Sequence, residues 1–446
     1  MGSFKKYIGD LFVTLRLYVA GGACAVFFIV SFFVPSLYEI AKLVFGVLVI
    51  LLIADYAFLF FTKKVPQAER YISDRLSNGD ENKVSLQVKN PFSFPVKMNI
   101  IDELPFQFQE RDFEMTRRFS GRQQHLLEYT LRPTERGAYE FGKILLFTRT
   151  GLGLLVRRFE INADETVRVY PSFLNLRNYQ LLSNTSVQGN GNKRVRKIGQ
   201  SMEFEQIKDY VSGDDIRTIN WKATARKGML MVNNYTDEKS QQVYCIIDKG
   251  RLMKMPFGGL TLLDYAINSV LALNNICLQK QDKVGLVSFS NKMGTVIAAD
   301  RKPVQRENIL EALYKEKTDF LESDFEMLYT QVRHKIKQRS LLILYTNFES
   351  LNGLKRQVNY LRSIARHHLL LVVFFENTEL TRLSGADAYT VEDVYVKTIA
   401  EKLVFEKRLV VKELLKYGIM SVLSTPENLT VNSINKYLEL KAKQAV

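Results

Sequence analysis

Two long apolar runs open the chain. Leu17 to Val34 contains no charged residue, and Ile40 to Phe61 is interrupted only by Lys42 and Asp55. At ~1.5 Å of rise per residue, helices of these lengths reach roughly 27 and 33 Å, close to the ~30 Å hydrocarbon core of a bilayer. Pro35 to Glu39 form a short turn between them. The pattern predicts a helical hairpin over residues 1–64 that crosses a membrane twice. A second long apolar run does not follow a cleaved signal peptide. Lys5, Lys6 and Arg16 precede the first run, Lys63 and Lys64 follow the second, and the turn carries only Glu39. The positive-inside rule then puts the N-terminus and everything beyond residue 64 in the cytoplasm, with Lys42 snorkelling to the opposite surface. Asp55 lies deep in the second span, where an ionisable group marks a functional or helix-pairing position.

Residues 65–171 change period. Lys83 to Val88 alternates polar and apolar, and Val96–Ile101, Leu126–Leu131, Lys143–Thr148 and Thr166–Tyr170 read as further strands. Turn residues at Asn78-Gly79-Asp80, Glu135-Arg136-Gly137 and Asn162-Ala163-Asp164 separate them. Short strands at regular spacing predict an antiparallel β-sandwich. Gly137 to Lys143 fits GxxxxGK, but Ile144 stands where a phosphate loop needs Ser or Thr, and no helix follows.

Residues 172–240 read as a linker and a dense motif. The linker is rich in Ser, Asn and Gly, with a basic cluster at Lys193, Arg194, Arg196 and Lys197. Such a cluster is either a solvated charge run or a contact for anionic lipid. It also contains an Asn184-Thr185-Ser186 sequon, which carries no glycan in a cytoplasmic domain.

From residue 241 to 446, apolar strands alternate with amphipathic helices. Strands are expected at Val243–Ile247, Lys283–Phe289, Thr295–Ala299, Leu341–Thr346, Leu369–Phe375 and Ile419–Leu423. Helices are expected at Leu260–Gln279, Val304–Lys317, Asp324–Lys337, Leu354–His367, Val391–Tyr417 and Pro426–Lys441. This alternation predicts an α/β domain with a doubly wound, mostly parallel sheet, whose site lies at the carboxyl ends of the strands. Those ends are Asp248, Ser288–Asn291, Asn347 and Glu376-Asn377.

Composition narrows the chemistry. The 446 residues are 46% hydrophobic and 24% charged, with a formal net charge of +15. A mean hydropathy of −0.09 does not fit a polytopic transporter. The positive charge favours anionic partners, yet no nucleic-acid-binding motif accompanies it, and nucleic acid is not expected as a partner. Three scattered cysteines build no disulfide framework or zinc site, and four histidines without HExxH argue against a classical zinc hydrolase. Ser288 and Ser290 have no histidine partner in view for nucleophilic catalysis.

Two places hold candidate chemistry. Asp248 directly follows an apolar strand, and is either a metal carboxylate or a loop cap. Gly250 and Leu252, two and four residues on, offer no side-chain oxygen. The motif from Gly199 to Arg226 is the densest in the chain. Asp214 and Asp215 follow Gly213 and can cap a turn, and Arg217 and Arg226 can pair with carboxylates. Trp221, the single tryptophan, can anchor the segment. The motif is either an ion-paired clamp or a surface that docks a partner. A metal-dependent enzyme using Asp214, Asp215 and Asp248, with Mg²⁺ as the natural cation, is the competing function.

The run Glu203-Phe204-x-x-Ile207-Lys208-Asp209-Tyr210-Val211-x-Gly213-Asp214-Asp215-Ile216-Arg217-x-Ile219-Asn220-Trp221-Lys222-Ala223-x-Ala225-Arg226, with a strand ending at Asp248, resembles a bacterial family called domain of unknown function fifty-eight. The resemblance extends to the apolar hairpin and the β segment with Arg136-Gly137 and Val169-Tyr170-Pro171. It implies a von Willebrand factor A-like fold anchored in the bacterial cytoplasmic membrane. It further implies MoxR-type AAA+ ATPases and other A-domain proteins as partners, and an adaptor without catalysis or cofactor. The metal-dependent adhesion motif of A domains, D-x-S-x-S with a distant Thr and Asp, reads here Asp248-Lys249-Gly250-Arg251-Leu252, with Thr318 for the Thr and Asn347 for the final Asp.

Overall fold

The computed structural model describes residues 9–62, 64–110, 113–172, 202–237 and 241–443; the side chains of residues 202–205 and 234–237 lie outside that description. Lys5, Lys6, Lys63, the sequon and the basic cluster at 193–197 therefore fall outside it. The chain divides into two compact units, Met1–Tyr170 and Pro171–Val446.

The first unit begins with a strand that the sequence did not signal, β1 (Leu11–Val13), followed by helices α1 (Leu15–Phe33) and α2 (Tyr38–Phe60). Both helices are long and apolar enough to cross a membrane. Most of their surface is exposed, so burial inside this protein is not what their apolar side chains serve. Ten strands follow: β2 (Gln67–Tyr71), β3 (Arg75–Ser77), β4 (Asn82–Lys89), β5 (Val96–Asp102), β6 (Glu114–Phe119), β7 (Gln124–Leu131), β8 (Gly137–Phe141), β9 (Ile144–Arg149), β10 (Leu155–Ile161) and β11 (Glu165–Tyr170). They form sheets ordered β1-β10-β9-β5-β6, β2-β4-β7 and β3-β11-β8. All pairings are antiparallel except β3 with β11.

Alternation explains the packing. Val84, Leu86 and Val88 of β4 point inward with Val96, Met98 and Ile100 of β5, while Lys83, Lys89 and Lys97 point away. The GxxxxGK run falls on β8 and the turn that leads into β9, a hairpin rather than a phosphate loop. Residues 1–64 and 65–171, expected as separate blocks, are not separate. β1 pairs with β10 beyond the helices, and Leu59 and Phe60 of α2 pack on Leu155.

The second unit opens with an antiparallel pair, β12 (Met202–Asp209) and β13 (Met231–Asp237), with the short helix α3 (Trp221–Lys227) between them. The α/β sheet follows. Its elements are β14 (Gln242–Asp248), β15 (Pro256–Phe257), β16 (Leu260–Thr261), α4 (Leu262–Gln279), β17 (Lys283–Phe289), β18 (Met293–Asp300), α5 (Val304–Lys315), α6 (Phe325–Lys335), β19 (Leu341–Tyr345), α7 (Leu351–Ala365), β20 (Leu369–Phe375), α8 (Thr378–Gly385), α9 (Val391–Lys416), β21 (Met420–Ser424) and α10 (Leu429–Ala442). Strand order is β18-β17-β14-β19-β20-β21, parallel throughout except at the β17–β18 edge.

Helices cover both faces: α4, α5 and α10 enclose one core, and α6, α7 and α9 the other. This is why β14, β17, β19 and β20 read as unbroken apolar runs rather than alternating ones. The fold is thus a mixed α/β architecture preceded by two apolar helices, as the periodicity predicted.

Candidate functional site

The signature segment builds itself from local capping. Asp214 accepts from the Lys208 ammonium at 2.9 Å and from the Val211 N–H at 3.0 Å, closing the turn after β12. The lysine hydrogen bond holds its carboxyl below the usual carboxylate range. Gly213 sits at φ 113°, a conformation that a side chain would strain. Asp215 caps the next turn through the Arg217 N–H at 3.0 Å, and Asn220 caps α3 through the Ala223 N–H at 3.0 Å. Asn220 also donates to Asn233 at 2.9 Å, and Tyr210 N–H bonds Leu230 carbonyl at 2.9 Å, tying the segment to β13 and its approach. Lys227 pairs with Asp209 at 3.0 Å.

Both acids and the asparagine are therefore consumed in holding the loop. The residues left outward are Arg217, Trp221 and Arg226, with Val211, Ile216 and Met229 beside them. Trp221 is 69% exposed, so the expectation that it anchors the segment is corrected: its indole faces solvent. Among the described residues neither Arg217 nor Arg226 makes an ion pair, so the expected carboxylate pairing is not seen either. Arg226, Lys222 and Ile207 line a shallow groove of about 410 Å³ against α3. Glu203 and Phe204 lie in β12, with their side chains outside the description.

Asp248 lies at the carboxyl end of β14, 3% exposed. One carboxylate oxygen accepts from Ser323 Oγ and from the Gly250 N–H at 2.8 Å; the other accepts from Thr346 Oγ1 at 2.6 Å. Burial pushes its pKa up against these hydrogen bonds. A Cβ at Gly250 would run into Ser323 Oγ, so a serine reached from far along the chain fills the space that a side chain at 250 would take.

Thr318 does not reach Asp248: its hydroxyl donates to the Lys249 carbonyl at 2.7 Å, which corrects its expected place as a ligand. Asn347 donates weakly to the Leu252 carbonyl and accepts from the Lys407 ammonium at 2.6 Å. One carboxylate and two hydroxyls, with a lysine on the nearby amide, do not fit a hard divalent cation, which wants several oxygens and more negative charge. No group of three or more His, Cys, Asp or Glu suited to a metal occurs among the described residues. Asp214 and Asp215, each tied to its own turn, do not join Asp248 in any such group. The role supported for Asp248 is the loop cap.

Sequence reasoning missed a second buried network beside it. Lys249 pairs with Glu316 at 3.0 Å, and Glu316 also accepts from Ser288 and Thr295 hydroxyls. These four residues are scattered over the chain, and no local spacing announces them. The partners of Asp55, too, lie far from it along the chain. The aspartate is fully buried and accepts from Thr150 Oγ1 and from the N–H groups of Leu154 and Leu155, each at 2.9 Å.

The uncharacterized protein YeaD of Bacillus subtilis is 24% identical over 191 residues, 41% of this chain and 48% of that protein, so the chain spans about half the length of this curated relative. Among solved structures, the conserved hypothetical protein BatB from Bacteroides thetaiotaomicron is 14% identical and covers 46% of this chain and 100% of its own, with a TM-score of 0.31. The CARDB domain of the PF1109 protein from Pyrococcus furiosus, solved with di-metal ions, is 14% identical over 24% of this chain and 92% of its own, with a TM-score of 0.17. Residues 206–402, which take in most of the signature and much of the α/β sheet, match the family described as protein of unknown function DUF58.

Proposed function

We propose that this chain is a membrane-anchored interaction protein that presents its signature segment to a cytoplasmic partner. The observation that carries the reading is the division of labour in that segment. Gly213, Asp214, Asp215 and Asn220 shape the loop, while Arg217, Trp221 and Arg226 are left facing solvent. Exposed Trp and Arg are the residue types that dominate binding energy at interfaces.

The partner we assign is a MoxR-type AAA+ ATPase, in the assembly or maturation of client complexes, as the family resemblance implies. The six-stranded sheet is read as von Willebrand factor A-like. The two apolar helices are read as spans of the bacterial cytoplasmic membrane, with Arg16 and Lys64 at its inner face and both soluble units in the cytoplasm. The chain is read as acting by binding.

The test is co-purification of the full-length protein, in detergent, with the MoxR-type ATPase of the same genome. Substituting Arg217→Ala and Trp221→Ala together should leave the protein folded and cut ATPase recovery at least about ten-fold, as expected for loss of two hot-spot side chains. Unchanged recovery would remove this surface from the proposal.

A further inference from the structure

The outer face of the sheet β1-β10-β9-β5-β6 carries a charge gradient that its own folding does not need. Lys97 of β5 lies directly opposite Arg118 of β6 and directly opposite Arg149 of β9. Three cations thus stand in one row across three neighbouring strands, on the same side of the sheet. Like charges in directly opposed positions repel, and sheets select against them unless something offsets the repulsion. No carboxylate pairs with any of the three among the described residues. Arg122, exposed in the turn that follows β6, adds a fourth positive charge at the same end.

Two rungs further along the same strands and face, the row is Glu114, Ile101, Leu145 and Glu160. Here the charges are acidic, and Glu160 is paired with Lys143 and Arg158. The cationic end is therefore specific to one end of the sheet, and that end is fixed by the apolar helices. Arg149 is followed by Thr150, whose hydroxyl bonds Asp55 of α2. Thr14, which opens α1, donates its hydroxyl to the Gly153 and Leu154 carbonyls at 2.8 and 2.9 Å. The cationic row sits where both helices leave the β unit.

We propose that Lys97, Arg118 and Arg149, with Arg122 beside them, form a seat for anionic phospholipid headgroups. Through it the β unit lies against the membrane its helices cross. Phosphates of the leaflet would relieve the repulsion among the three cations, and the attraction would fall off within a Debye length of the surface. The occupant follows from continuity: a surface that abuts the ends of two membrane-length helices meets lipid phosphates before any soluble anion. The inference rests on the reading of α1 and α2 as membrane spans.

The test uses the full-length protein reconstituted into vesicles of phosphatidylcholine alone or of phosphatidylcholine with phosphatidylglycerol. Lysine acetylation is read site by site by mass spectrometry. Lys83, exposed at the opposite end of the unit, is the internal reference. Lys97 should react about five-fold more slowly relative to Lys83 in the anionic vesicles, and the difference should vanish in roughly 1 M salt, where the Debye length is about 3 Å. The Arg118→Gln/Arg149→Gln variant should lose most of that protection. Equal rates in the two lipids, protection that survives in the variant, or equal protection by inorganic phosphate in phosphatidylcholine vesicles would each overturn the seat. Flotation with phosphatidylcholine vesicles after alkaline wash reports separately on anchoring. A protein that floats without lipid-dependent protection loses only this inference, and one that fails to float loses both.

Discussion

The carboxylate of Asp55 accepts the hydroxyl of Thr150, joining an apolar helix to the tip of a β-hairpin nearly a hundred residues later. The same carboxylate takes the N–H groups of Leu154 and Leu155, and Arg157 returns the favour by donating to the Leu59 carbonyl at 2.6 Å while lying over the Phe60 ring. The end of α2 is thus built into the β unit, with hydrogen bonds running both ways. A charge that reads as a membrane liability is a structural acceptor at the junction.

Asp55→Leu should therefore weaken the first unit. Two buried donors and one half-buried donor would lose their acceptor at about 1–3 kcal/mol each, not fully additive, so a fall in Tm of roughly 5–10 °C is expected for the detergent-solubilised protein. Limited proteolysis should show new cleavage near Gly151–Gly153. An unchanged melting curve would mean that the junction is not held this way.

Arg70 and Asp102 form a second buried device in the same unit. Their side chains are 1% and 0% exposed, and Arg70 Nε donates to Asp102 at 3.2 Å. Arg70 also donates to the Ala163 and Gly142 carbonyls at 2.7 and 2.9 Å, and the Tyr129 hydroxyl donates to the same aspartate. Asp102→Ala should lower stability by about 3–5 kcal/mol, because a buried guanidinium is left unpaired. Tyr129→Phe should lower it by only about 1 kcal/mol. Denaturant titration of the two variants checks the ranking.

Lys407 gives the second unit a pH signature. Burial lowers its pKa to about 8, against a smaller upward pull from Glu349. The unfolded chain then binds more protons than the folded one between about 8 and the ordinary lysine value. Unfolding free energy should rise with pH across that window, by on the order of 3 kcal/mol, and the full penalty should be present below it. Lys407→Met should abolish the slope. Chemical denaturation from pH 7 to 10.5, comparing the two proteins, is the measurement; parallel slopes would refute it.

Divalent cations should do nothing at Asp248. With Ser323, Thr346 and Gly250 N–H already on its two oxygens, millimolar Mg²⁺, Mn²⁺ or Ca²⁺ should shift Tm by less than about 1 °C. A clear upward shift, lost in Asp248→Asn, would reinstate the metal reading.

Periodicity determined most of the architecture. The apolar spans near Leu17–Val34 and Ile40–Phe61, the alternation of Lys83 to Val88, and the strand–helix alternation after Val243 are local patterns, and local patterns follow from the 3.6 and 2.0 periods of backbone geometry. Short elements escaped: β1 is three residues long, and α8, capped by Asn377, carries too few apolar positions to announce itself. The signature's turns were legible too, since Gly213, Asp214, Asp215 and Asn220 act on neighbours within a few residues.

Only the tertiary structure decided which groups meet across long separations. That Ser323 and Thr346 satisfy Asp248, that Thr150 satisfies Asp55, that Trp221 turns outward, and that Lys97 lines up with Arg118 and Arg149 are consequences of strand order and register. Propensity and spacing act along the chain over a few residues. Burial, charge pairing and hydrogen-bond satisfaction are settled by neighbours in space, and only the folded sheet brings those neighbours together.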